Sequence, residues 1–165
     1  MSDETHRTRT YEWSDPAELA RVAREMSGHE YFAAWSKGEL VPPIAATLGF
    51  ELASYRDGHV EISSVPEEFQ YSPYGMLHGG LAATLLDTAT GCAIHTRLPA
   101  GTGYATLNLN LSYLRPITIE TGPVRCLGRV SSMGSRVAVA EAELLDARGQ
   151  SLAQATSTCL IIRPD

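Results

Sequence analysis

The sequence predicts an α+β domain in which an antiparallel sheet of five to six strands curls around one long central helix, with helices added at the N-terminus. Three observations carry that expectation. The stretch Tyr71–Pro99 holds about eighteen helix-compatible residues between a turn cluster (Ser72, Pro73, Tyr74, Gly75) and Leu98-Pro99, with apolar and small residues on all sides. Segments with strand rhythm flank it, and the turns among the later ones are short, which favours antiparallel pairing. A single sheet and a helix that is apolar all round bury each other economically when the sheet wraps the helix.

Taken in order, residues 1–13 read as a mobile polar tail, 14–43 as a helical extension and 44–165 as the sheet domain. Asp15-Pro16-Ala17-Glu18 has the form of a capping box with Pro at the first helical position. Leu19, Val22, Ala23 and Met26 then recur at i, i+3, i+4, i+7, an amphipathic helix expected to stop at Gly28. A second short helix, His29–Ser36, carries Tyr31, Phe32 and Trp35, which suit either a core or the roof of a pocket. Val41-Pro42-Pro43 breaks the helical pattern, and Ile44–Leu48 fits one further turn.

Strands follow at Glu51–Tyr55 and His59–Ser64, joined by the hairpin signal Arg56-Asp57-Gly58. After the long helix, Leu107, Leu109, Leu111 and Tyr113 alternate with Thr106, Asn108, Asn110 and Ser112, so the run is expected to show one face of each kind. The remaining strands are Gly122–Ser132, Ser135–Leu145 and Ser151–Ile162. Ala138, Ala140 and Ala142 on one face of the middle one, with Thr84, Ala89, Gly91 and Ala93 on the helix, leave room for close packing.

At 165 residues, 19% charged and 44% hydrophobic, the chain has an ordinary globular balance for one domain. A net charge of −6 offers no footprint for nucleic acid. No apolar run approaches the ~18 residues of a membrane span, and the polar N-terminus does not read as a secretory signal. Cys92, Cys126 and Cys159 are far apart with no CxxC pair, which reads as buried reduced thiols in a cytoplasmic protein. His95 and Cys92 share the long helix without ligand spacing and read as packing residues, so no metal is expected. No GxSxG, HExxH or phosphate-binding glycine loop is present, which argues against a serine hydrolase, a zinc protease and a nucleotide enzyme, and no cofactor is expected.

The anomaly is Asp87, the single acid between His78 and Arg97 on an otherwise apolar helix. A carboxylate in such surroundings is costly unless it is paired, hydrogen-bonded or protonated.

Gly75 three residues before His78-Gly79-Gly80, Asp87 nine residues after the His, and an alternating strand leading into Tyr113-Leu114-Arg115-Pro116 together resemble the hotdog-fold acyl-CoA thioesterases, in particular the phenylacetate-degradation branch. The resemblance spans roughly Ile44–Ile162. It implies a hotdog homodimer, often paired into a homotetramer, with active sites at the dimer interface and an acyl-CoA or acyl carrier protein thioester as substrate. Gly79 and Asp87 are eight residues apart, ~12 Å along one helix, too far to touch one carbonyl carbon. Two antiparallel copies related by a twofold axis would bring Gly79 of one near Asp87 of the other.

On that resemblance, the Gly79 N–H polarises the thioester oxygen, Gly80 lets the acyl group approach, and Asp87 acts as general base or as nucleophile. Thr106 is placed to hold the water, and His78 to orient the loop. Tyr71, Met76, Arg115 and Arg136 are the further substrate-binding candidates, the arginines for coenzyme A phosphates. The sequence departs from the family pattern at Ser72, where relatives carry an Asn or Gln that assists the oxyanion hole. Three outcomes fit that departure: Ser72 donates through a water, nearby Gln70 substitutes, or the activity is low. The alternative functions are a non-catalytic acyl-thioester-binding or assembly module and, less favoured, a hotdog hydratase or dehydratase.

Overall fold

The structure is a computed structural model, and it describes residues 6–163. Residues 1–5 of the expected tail lie outside them. Residues 6–13 form no helix or strand, yet Arg7 pairs with Glu68 at 2.6 Å and the Arg9 guanidinium lies 3.8 Å over the Phe69 ring.

Helix α1 (Pro16–Arg24) starts where Asp15 accepts the Ala17 N–H at 2.9 Å. The expected reciprocal box is not made there, because Glu18 turns to Arg21 at 2.7 Å. It forms instead one helix later. In α2 (Gly28–Ser36), Ser27 accepts the Glu30 N–H while Glu30 accepts the Ser27 N–H at 2.8 Å. Gly28 thus begins α2 rather than ending α1, and its role is close approach: a Cβ there would lie 1.7 Å from the His95 carbonyl oxygen. Phe32 is fully buried, and Tyr31 and Trp35 nearly so, in the core shared by the sheet and the long helix. A short α3 (Pro43–Leu48) ends at Gly49 in the left-handed region, φ 75°.

Six strands follow: β1 (Phe50–Arg56), β2 (His59–Ser64), β3 (Gly103–Tyr113), β4 (Val124–Met133), β5 (Val137–Leu145) and β6 (Ser151–Ile162). They form one antiparallel sheet in the order β1-β2-β4-β5-β6-β3, so β3 is an edge strand. Helix α4 (Gly79–His95) is the axis around which the sheet curls, as in the hotdog fold. Leu85, Leu86 and Ile94 are fully buried, each contributing about 2 kcal/mol by leaving water. The small residues do allow close approach. Ala138 and Ala140 are fully buried, and a Cβ on Gly128 would lie 2.1 Å from the Ala89 carbonyl oxygen.

The alternation expected along β3 breaks. Thr106 pairs with Cys159 and Asn108 with Thr158, so Leu107 is the extra residue of a β-bulge and is 58% exposed. An inserted residue reverses the facing of everything beyond it. Thr106 therefore looks toward α4 together with Leu109, instead of away from it.

Candidate active site

The N-terminus of α4 is built by His78. Its backbone is extended, its Nδ1 accepts the Gly80 N–H at 2.8 Å, and its own N–H donates to the Gln70 carbonyl at 2.8 Å. The imidazole is a cap, with Nδ1 unprotonated in that bond. The Gly79 N–H has no acceptor among the described residues, which leaves it as one of the orphan donors at the positive end of the helix dipole. Tyr113 from β3 donates its hydroxyl to the Gly79 carbonyl at 2.9 Å. Met76, Gly79, Tyr113 and Arg115 border a pocket of about 510 Å³. Tyr71, His78 and Gly80 border a separate one of about 360 Å³ with Phe69.

Eight residues further along α4, Asp87 is half-buried, and its Oδ1 accepts the Thr106 hydroxyl at 3.0 Å. Among the described residues no Lys, Arg or His lies within ion-pair distance of it. Thr106 thus holds the carboxylate directly, a contact that depends on the bulge. Asp87 stands on the wall of a cavity of about 820 Å³ that runs past Tyr104 and His95 to Tyr31 and Trp35. The aromatics of α2 are therefore both core and cavity wall.

The inner end of this cavity is neutral. Burial lowers His95 to a pKa of about 4, so its ring is uncharged at neutral pH. Burial likewise raises the phenols of Tyr31 and Tyr104, and it pushes the Cys92 thiol up to about 12. Gly91 lets the Tyr104 ring lie on the helix one turn beyond Asp87, where a Cβ would sit 2.7 Å from the hydroxyl oxygen. His95 and Cys92, expected as packing residues, line the cavity.

Other expected residues are dispersed. Ser72 sits in the turn before α4, its hydroxyl accepting the Tyr74 N–H at 3.4 Å. Gln70 is buried, with its amide held between the Glu67 N–H and the Leu48 carbonyl at 2.8 Å each. The Tyr71 hydroxyl accepts the Ile119 N–H at 2.7 Å. The Arg115 guanidinium donates to the Ser151 carbonyl at the start of β6, whereas the Arg136 backbone carbonyl accepts the Ile161 N–H near its end. Ten strand residues separate those anchors by roughly 33 Å, so within one chain the two arginines do not share a phosphate. Tyr113 and Tyr104 were missed as site residues. The only trace of either was Tyr113's place in the Tyr-Leu-Arg-Pro run.

Comparison with known proteins agrees with this architecture. A family model described as the thioesterase superfamily matches residues 74–153. A candidate esterase of Halobacterium salinarum is 33% identical over 130 residues, spanning 72% of this chain and 83% of that protein. The crystal structure of a candidate thioesterase from Ralstonia eutropha, related to phenylacetic acid degradation, superposes with a TM-score of 0.71. It is 33% identical and covers 79% of this chain and 98% of its own. A thioesterase from Haemophilus influenzae shares the fold at 21% identity, with a TM-score of 0.69 over 74% of this chain and 85% of its own. Thioester hydrolysis is the general chemistry these relatives support, and the chain belongs to the thioesterase superfamily.

Proposed function

We propose that the chain hydrolyses an acyl thioester of coenzyme A or acyl carrier protein at a site composed across two copies of α4. The observation that carries this reading is Asp87: a half-buried carboxylate without a cationic partner, steadied by Thr106 on the wall of a large cavity. Such a group is available for chemistry rather than committed to an ion pair. The Gly79 N–H, unspent at the helix N-terminus, is the donor for the developing oxyanion. Water adds to the carbonyl carbon as Asp87 takes its proton, the C–S bond breaks, and the thiolate leaves and is protonated. Attack by Asp87 itself, followed by hydrolysis of the anhydride, gives the same products.

A second copy supplies the missing half. Gly79 and Asp87 lie ~12 Å apart along α4, so one chain does not present both to one carbonyl. The outer edge of β3 has no strand beside it among the described residues, and Leu107 and Tyr113 are more than half exposed. A long open edge of this kind is normally paired or covered. A twofold-related copy alongside it would set the two α4 helices antiparallel, a homodimer that can pair again into a tetramer.

Purified protein should release thiol from a panel of acyl-CoAs and acyl carrier proteins, and Asp87→Ala should lower kcat by about 10²–10⁴-fold. Turnover by that variant at the parental rate would overturn the assignment. One observation favours a binding module instead: a serine hydroxyl stands at position 72 and the Gln70 amide is held by backbone, so neither residue supplies a free side-chain amide beside Gly79. That reading requires saturable acyl-CoA binding with no thiol released.

A further inference from the structure

The cavity behind Asp87 has a polarity that thioester cleavage does not use. Beside Asp87 it holds Thr106, and Leu19, Trp35, Ile44 and Leu109 make much of the remaining wall apolar. At the far end three polar side chains converge. The His95 ring centroid is 5.2 Å from that of Tyr31 and 5.7 Å from that of Tyr104. Among the described residues the His95 nitrogens and the Tyr31 hydroxyl have no hydrogen-bond partner, and the Tyr104 hydroxyl has only the Cys92 thiol beside it. The His95 nitrogens and the Tyr31 hydroxyl are not sealed off, and all three residues line the cavity. Polar groups in an apolar chamber need partners, and the protein supplies none here. Asp87 is the only charged residue among those that line the cavity, about two turns of α4 before His95.

From this arrangement we infer that the far end of the cavity is a recognition site for an uncharged hydrogen-bonding group, such as a hydroxyl, at the distal end of an otherwise apolar acyl chain. The inference rests on the thioesterase reading, with the acyl carbonyl beside Asp87. His95 is eight residues beyond Asp87 on the same helix, ~12 Å along its axis. Tyr104 lies over Gly91, one turn or ~6 Å beyond Asp87, so the polar groups span ~6–12 Å from the acid. The polar tip therefore belongs on a chain of about five to ten carbons or an aryl group of that reach, and not on an acetyl-sized group. The neutral state of His95 suits an uncharged tip, since its ring offers one donor and one acceptor.

The elements that wall the cavity on the α2 side are tied to the end of α4. Gly28 N–H donates to the Leu98 carbonyl at 2.9 Å and Gly101 N–H to the Arg24 carbonyl at 2.9 Å, tying the N-terminal helices to the end of α4.

The test uses the full chain and paired straight-chain acyl-CoAs of four to twelve carbons, with and without a terminal hydroxyl. The kcat/KM ratio of hydroxylated to plain chain should peak within about five to ten carbons, at roughly tenfold or more, because a site built to bond a hydroxyl discriminates against its absence. His95→Leu should bring that ratio toward one. Tyr31→Phe and Tyr104→Phe, which remove only a hydroxyl, should each lower it and keep the inference testable if the His95 variant does not fold. A ratio of one or below at every length in the parent would overturn the inference and leave hydrolysis standing. If no thioester is cleaved, hydrolysis fails instead, and affinities of the same pairs as inert thioether analogues decide the recognition site by the same ratio.

Discussion

Replacing Gly79 by Ala separates the two duties of the α4 N-terminus, folding and chemistry. The added methyl carbon would sit 2.9 Å from both Cζ and the hydroxyl oxygen of Tyr113, and 3.2 Å from its Cε1. The ring must therefore move. Tyr113 is 57% exposed on an edge strand, so it can swing outward, giving up its bond to the Gly79 carbonyl. That loss costs about 1 kcal/mol. Ala is the better helix former than Gly by up to about 1 kcal/mol, which offsets it. Net stability should change by less than about 1 kcal/mol, readable as a near-constant urea midpoint. Turnover should not be spared, because the methyl stands beside the N–H proposed to meet the oxyanion. Loss of such a donor costs about 10²–10³ in kcat. A double-mutant cycle with Tyr113→Ala isolates the cause. If the methyl acts by crowding the amide, its penalty persists when the ring is gone; if it acts by displacing the ring, the penalty vanishes. Gly79→Ala with parental kcat and an unchanged midpoint would refute the placement of the reacting carbonyl at this helix end.

Two further outcomes concern stability. Gly128→Ala forces a methyl to within 2.1 Å of the Ala89 carbonyl, where the obstacle is helix backbone that cannot rotate away; a loss of about 3 kcal/mol is expected by urea denaturation, and an unshifted midpoint would contradict the close seating of α4 on β4. His95 makes stability pH-dependent. Its folded pKa, about 4, lies below the ordinary 6.5, so between those values the unfolded chain binds more protons. Stability is therefore undiminished above pH 6.5 and falls as pH drops toward 4, by at most about 3 kcal/mol from this residue. The difference between parent and His95→Gln in melting temperature across that range measures it, and parallel profiles would exclude the effect.

The fold was legible because its signals are of long period and mutually consistent. The apolar run from Gly79, the tight turns and the alanines of β5 all require a helix seated in a sheet. The local misreadings have local causes. Gly28 carries the ordinary signature of a helix stop, and only the passing His95 carbonyl shows why it has no side chain. The facing of Thr106 could not be read from alternation, because a bulge is set by pairing with β6 and not by composition. Asp87 announced itself as a lone acid, whereas Tyr104 and His95 did not. A tyrosine on a strand and a histidine late in a helix have no periodicity to break, and their convergence comes from the two elements packing together across Gly91.

That convergence gives α4 an ordered set of stations at equal intervals, Gly79, Asp87 and His95. Each step of eight residues advances ~12 Å and turns the side by ~80°. Gly79 and Asp87 therefore open into different pockets, one beside Tyr113 and Met76, the other beside Thr106. Asp87 and His95, by contrast, share one cavity, because Gly91 between them leaves the helix surface open to Tyr104. The same helix thus divides along its length. On the proposed mechanism, its N-terminal half supplies a donor to be matched with an acid from a second copy, and its C-terminal half joins its own acid to the cavity beside it. If this is the working arrangement, changes at His95 alter which acyl group is cleaved through residues of the chain that contributes Asp87, whereas changes at Gly79 act on the chain opposite. Mixed dimers carrying Gly79→Ala on one copy and Asp87→Ala on the other separate the two, since they retain one intact composite site and should keep about half the parental activity.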